Sequence, residues 1–172
     1  KEQFPQAIVP LQQFLQSHAA HAKADQAAFH LGIAHARQEG WAKAAPNFQK
    51  VYQNHPKSTL RDRALYEWAW CEKGLKKNDA AVQRYTYLLK TYPQTELRHK
   101  ATTEMAELTF GAGQFDEAIE QLRKAFHRQY DHREQLLGSE TMRQVERLIV
   151  LDRIDYHWMQ HLHSIDYIQE GI

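Results

Sequence analysis

Cysteine is almost missing from this chain: Cys71 stands alone among 172 residues, so no intrachain disulfide can form and the redox compartment cannot be read. Glycine (7) and proline (5) are also sparse, which argues against a sandwich of many tight turns and suits long helices. Neither sign of charge dominates, with 22 basic against 21 acidic side chains. That balance gives no clustered positive field of the kind a nucleic-acid backbone favours, so no nucleic-acid partner is expected. Apolar runs are short. Leu148-Ile149-Val150-Leu151 falls far below the roughly 20 residues that cross a bilayer, and no transmembrane segment is expected. A Gly-x-x-x-x-Gly-Lys-Ser/Thr phosphate loop is lacking as well, so the sequence offers nothing in support of nucleotide hydrolysis. No signal-peptide pattern is legible in these 172 residues, and the first of them is Lys1 rather than Met. The chain therefore reads as a processed form or an excerpt.

What is present is a repeat. Ala7, Ala44, Ala81 and Ala118 stand 37 residues apart, and Leu11, Phe48, Tyr85 and Leu122 follow in the same register. Phe14, Val51, Leu88 and Ala125 form another column, and Ile8, Ala45, Val82 and Ile119 a fourth. An aromatic residue opens three of these segments at Phe4, Trp41 and Phe115, with Asn78 in the remaining one. The steps of four, three and one in Ala44, Phe48, Val51 and Tyr52 describe one face of a helix. A second helix precedes it, marked by Ala27, Ala28, Leu31 and Gly32, then by Ala64, Leu65, Trp68 and Ala69, then by Ala101, Thr102, Met105 and Ala106. Gly40 and Gly113 fall between paired helices, where a left-handed C-terminal cap is expected. Pro56 and Pro93 follow the second helices, past the point where proline would break them. Gly32 and the Ala44 column are small so that paired helices can approach closely.

These columns resemble the tetratricopeptide repeat family. Its pattern of a large residue, Leu-Gly, a distant Ala, an aromatic four residues later and a closing Pro is met by Leu31, Gly32, Ala44, Phe48 and Pro56. Trp68, Ala69, Ala81, Tyr85 and Pro93 meet it again, and Met105, Ala106, Ala118 and Leu122 more weakly. The spacing of 37 rather than about 34 is similar to the bacterial envelope branch of that family. The resemblance implies an all-α fold, an α-solenoid of antiparallel helix pairs with half a unit followed by three units over residues 1–129. Phe4 to His18 matches the second helix of a unit, so an array of this kind is expected to continue upstream.

In that family the first helices of successive pairs line a groove that receives a peptide or helix. Carried onto this sequence, the face holds Phe29, Ile33 and Arg37, then Arg63, Tyr66, Trp70 and Lys73, then Lys100, Thr103, Glu107 and Phe110. Aromatic and arginine side chains are the commonest energetic anchors at interfaces. Members that clamp a carboxylate use Lys and Asn where Phe29 and Ile33 stand here, so a hydrophobic or amphipathic helical partner is the expectation. The alternative for Trp70 and Phe29 is packing against a neighbouring helix.

After Phe126 the register fades. Gly138 interrupts the chain, and Ser139 and Glu140 suit the start of a further helix, with Ser139 read as its N-cap. Val145, Leu148, Leu151, Ile154, Trp158, Leu162, Ile165, Ile168 and Ile172 then recur at steps of three and four, predicting a long amphipathic helix. The runs Tyr130-Asp131-His132-Arg133-Glu134 and Gly138-Ser139-Glu140-Thr141-Met142-Arg143 resemble the SecA preprotein translocase ATPase. So do Glu146-Arg147, Leu151, Ile154-Asp155, Trp158, His161-Leu162, Asp166-Tyr167 and Glu170-Gly171-Ile172. The resemblance implies that residues 130–172 belong to a helical scaffold leading toward a two-helix finger. It singles out Arg143, Arg147, Asp155, Trp158, His161, Asp166 and Tyr167.

Other chemistry is thin. His157 and His161 stand four apart, but the Glu of a zinc-binding H-E-x-x-H is missing, and an ordinary polar helix face accounts for them. Asp152, Asp155 and Asp166 lie at helical spacing near Arg147 and Arg153, which favours ion pairs over a catalytic carboxylate set. Cys71 has no activating neighbour in sequence. The expectation is a non-catalytic protein–protein interaction scaffold that needs no cofactor or metal and binds a protein or peptide. The alternative is a piece or chimera of a SecA-type translocase acting with the protein-export machinery. The first resemblance would place the chain in the periplasm, the second in the bacterial cytoplasm or at the inner-membrane periphery. A natural chimera, a fusion and an excerpt would each join two such segments.

Overall fold

Segments rich in alanine and long side chains, with glycine other than Gly32 kept to their ends, are good helix formers, and eight helices form among the described residues. The computed structural model describes residues 4–170, with side chains described for 4–160. The helices are α1 (Phe4–Ser17), α2 (Ala24–Ala36), α3 (Trp41–Asn54), α4 (Arg61–Gly74), α5 (Asn78–Thr91), α6 (Arg98–Gly111), α7 (Phe115–Leu137) and α8 (Ser139–Glu170). Each packs on the next from α1 through α6. This is the short-loop pattern of antiparallel helix pairs. The all-α solenoid expected from the repeat is what forms, with a long helix after it.

The chain divides into two compact units, residues 1–123 and 124–172. In the first, the repeat columns are the core. Ala44, Phe48, Val51, Ala81, Tyr85 and Leu88 are wholly buried. One cluster gathers Phe48, Val51 and Cys71 with alanines of α2, α3 and α4. The next gathers Leu65, Tyr66, Tyr85 and Leu88 with alanines of α4, α5 and α6. Alanine sits where helices touch, and in the α2/α3 and α4/α5 pairs one large side chain from the second helix, Phe48 or Tyr85, fills the space, as close packing requires.

The turn inside each pair corrects one expectation. Gly40 is not the left-handed residue; its φ is −78° and it precedes α3. Glu39 (φ 57°) and Lys76 (φ 61°) take that conformation, and Gly113 (φ 80°) takes it in the third unit. The three positions are themselves 37 apart. Each closes the same pair of bonds: the Gly40, Lys77 and Gln114 N–H groups donate to the His35, Glu72 and Thr109 carbonyls. The Glu39, Lys76 and Gly113 N–H groups donate to Ala36, Lys73 and Phe110. This is the Schellman arrangement, and its hydrogen bonds hold two side-chain-bearing residues in a region glycine would occupy more cheaply.

In the second unit α7 ends at Leu137, Gly138 (φ 78°) turns the chain, and α8 begins. The Gly138 carbonyl accepts the Met142 N–H, so Gly138 stands at the cap position expected of Ser139, and Ser139 is the first helical residue. The Tyr130 hydroxyl donates to the Glu146 carboxylate, tying α7 to α8. The apolar stripe of α8 is broader than its spacing suggests. Leu148, Ile149, Val150 and Leu151 occupy successive positions, all more than half exposed, as are Ile154, Tyr156, Trp158 and Met159. No helix among the described residues is long and apolar enough to cross a membrane.

Candidate interaction face

The first helices of the pairs, α2, α4 and α6, bury their small residues against the second helices and leave a different face uncovered. The expected groove residues divide on this basis. Tyr66 is buried, with its ring 5.6 Å from that of Tyr85, and so belongs to the core. Burial, then the nearby Glu104, Glu67 and Glu107, push its phenol up to about 12. Phe29 is half-buried and meets Phe48 edge-on at 5.5 Å; Ile33 packs on the same cluster. The alternative of packing against a neighbouring helix is therefore what Phe29 does, and Tyr66 offers no free aromatic surface.

The remaining residues are accessible. Arg37, Arg63, Lys100, Thr103 and Glu107 are exposed, and Trp70 and Lys73 half-buried. Arg37 lies over the Phe4 ring at 5.9 Å. Phe110 is 58% exposed and stacks edge-on with Phe115 at 4.8 Å. Lys73 is the hinge of the face. Its ammonium donates to Glu104 at 2.5 Å and to Glu107 at 2.9 Å, and it sits 5.4 Å from the centre of the Trp70 ring. Burial works against that charge, but the bonds to the two carboxylates hold its pKa above the ordinary lysine value.

Two residues of this face escape the sequence reading. Glu67 on α4 is half-buried; burial pushes its carboxyl above the usual range, against the opposing pull of Arg37 and Lys100. Glu104 completes the Lys73 pair. Both were accessible in principle, since Glu67 and Glu104 are 37 apart, as are Arg63 and Lys100. The repeat that marks the core therefore also marks a charged face.

Behind this face the chemistry is structural. Glu72 and Arg84 form a two-point ion pair, 2.7 and 2.5 Å, with the guanidinium stacked 3.4 Å from the Trp68 ring centre. Cys71 is fully buried, and burial pushes its thiol up to about 12, which suppresses the nucleophilic thiolate. In the second unit Arg143, Arg147, Asp155 and Trp158 are exposed along α8. The side chains of His161, Asp166 and Tyr167 lie outside the described ones.

Known proteins resemble the chain in two ways. In fold it is similar to MamA of AMB-1, with a TM-score of 0.55 and 19% identity over 68% of this chain and 64% of that one. It is also similar to the TPR-like repeats of a Podosopora anserina kinesin light chain, with a TM-score of 0.63 and 18% identity over 77% of this chain and 69% of that one. Identities this low establish the helical-repeat fold alone. In sequence, the chain is 49% identical over 53 residues to the protein translocase subunit SecA 1 of Streptomyces avermitilis. It is 47% identical over 53 residues to that of Thermobifida fusca, and 44% over 57 residues to the SecA of Cutibacterium acnes. These matches take in 31–33% of this chain and 6% of each relative. Residues 34–172, most of the chain, match the profile of the SecA wing and scaffold domain. The chain belongs to the SecA wing and scaffold domain family.

Proposed function

We propose that the chain is a non-catalytic interaction scaffold whose uncovered face on α2, α4 and α6 docks a protein or peptide segment. The observation that supports it best is that three successive first helices keep Arg37, Trp70, Lys100, Thr103 and Phe110 out of the core although each helix is packed on its other side. A solvated helix face needs no half-exposed tryptophan or exposed phenylalanine, and aromatic and arginine side chains together are what interface centres use. Thr103→Trp fills this face from an exposed position, and Lys90→Trp does the same on the exposed side of α5. Peptides selected from a library on the whole chain should rebind the Lys90 variant and lose the Thr103 variant. Equal rebinding to both would remove the face from consideration.

A second reading is favoured by the family match, which reaches through α8. On it the parent protein acts in protein export, with residues 124–172 as part of a helical scaffold; the motor that would drive export is no part of this reading of the chain. A photo-crosslinker in place of exposed Asp155 should then join the chain to an export component in bacterial inner-membrane vesicles, identified by mass spectrometry. A crosslink pattern no different from that of a probe at exposed Lys50 would reject it.

A further inference from the structure

The distribution of charge on the uncovered face, taken with the docking role proposed above, points to a chemical class of ligand. Across α4 and α6, Lys73 is committed to Glu104 and Glu107. Arg37, Arg63 and Lys100 are different. All three are exposed, and none has a carboxylate within 4 Å among the described residues. Arg37 comes from the end of α2, Arg63 from the first turn of α4 and Lys100 from the first turn of α6. The cations outside an ion pair therefore come from three helices rather than one.

Glu67 is the carboxylate in this field. It interacts with Arg37 on one neighbouring helix and Lys100 on the other, yet it is half-buried and in contact with neither at ion-pair distance. It tempers the field without consuming the donors. Trp70, one turn further along α4, supplies apolar surface beside it.

We propose that this face binds an extended acidic peptide segment, its carboxylates meeting Arg37, Arg63 and Lys100 and an apolar side chain lying toward Trp70. The amphipathic helix expected from the sequence fits less well, because the aromatic residues that would grip it, Tyr66 and Phe29, are engaged in packing. Guanidinium and ammonium groups not held in an ion pair are matched by carboxylates, and such pairs add affinity and orientation while remaining sensitive to salt.

The test uses fluorescence anisotropy with the whole chain and three short labelled peptides, in which leucine alternates with glutamate, glutamine or lysine. The glutamate peptide should bind most tightly and weaken as salt rises. Arg37→Gln and Lys100→Gln should each weaken it about two- to fivefold, the range of exposed charge pairs. Glu67→Gln should tighten it by a similar factor, a gain that damage to the fold would not produce. Lys90→Gln, at an exposed position on α5, should change nothing. If the glutamine peptide binds equally well, or the Arg37 and Lys100 variants bind unchanged, the acidic assignment falls. The docking face then still stands if Thr103→Trp abolishes that binding. If none of the three peptides binds, the acidic assignment falls, and the library selection decides the docking role separately.

Discussion

Gly32→Ala tests the packing of the array most directly, because two known effects oppose each other there. Gly32 lies inside α2, where alanine is a better helix former by about 1 kcal/mol. A methyl group at Gly32 would stand 2.7 Å from Cε1 and 2.8 Å from Cζ of Phe48. That ring is completely buried between α2 and α4, with Phe29 against it at 5.5 Å, so it has nowhere to turn. Overpacking of this kind costs typically about 1–3 kcal/mol, so the balance is a loss of up to about 2 kcal/mol. For a chain of this size that lowers the melting temperature by about 2–4 °C per kcal/mol. The repeat itself supplies the remedy. Its third unit pairs Ala106 with Leu122 where the first pairs Gly32 with Phe48, so Phe48→Leu should make Gly32→Ala less costly than it is alone. Thermal and urea unfolding followed by far-ultraviolet circular dichroism on the four variants of the cycle measure this. If Gly32→Ala alone raises stability, the ring is not fixed and the packing argument is wrong.

Three further outcomes follow from the same structure. Cys71 should resist alkylation by iodoacetamide in the folded chain and react once urea unfolds it, since burial pushes its thiol up to about 12; rapid native labelling would contradict its placement. Lys76→Gly should stabilise the array by about 1 kcal/mol, because it removes a side chain from a left-handed position at φ 61°, and urea unfolding reads the change. His35 is buried, and burial, then the nearby Lys43, hold its pKa below the ordinary 6.5. The unfolded chain then takes up a proton near pH 6.5 that the folded chain refuses. This contribution to stability is complete above that pH and is lost as pH falls toward the lowered folded value. His35→Gln should flatten that part of a stability–pH profile, and an unchanged slope would exclude His35 as its source.

Much of the array was legible because a solenoid repeats its contacts. A residue that fills a given space in one unit has a counterpart filling it in the next, so columns such as Ala44–Ala81–Ala118 announce both helices and core. The acidic column Glu67–Glu104 carried equal periodicity, but charge on a helix is the ordinary state of a solvated face and draws no notice without its neighbours. The left-handed turn residues were obscured for a related reason. Glu39 and Lys76 stand where glycine is the usual choice, and hydrogen bonding to the preceding helix, which is a property of the turn, holds them there.

The sequence by itself determined the helix-pair repeat, its period, the small-residue contacts and the change of character beyond Phe126, since all of these are local patterns or repetitions of them. Only the tertiary structure decided which aromatic residues remain available. Tyr66 and Trp70 lie four residues apart on α4, yet Tyr66 is held against Tyr85 while Trp70 keeps part of its ring in solvent beneath Lys73. Helical spacing places side chains around an axis to within a turn, but whether a side chain is covered depends on where the next helix crosses. That crossing is set by the sum of contacts between helices distant in sequence.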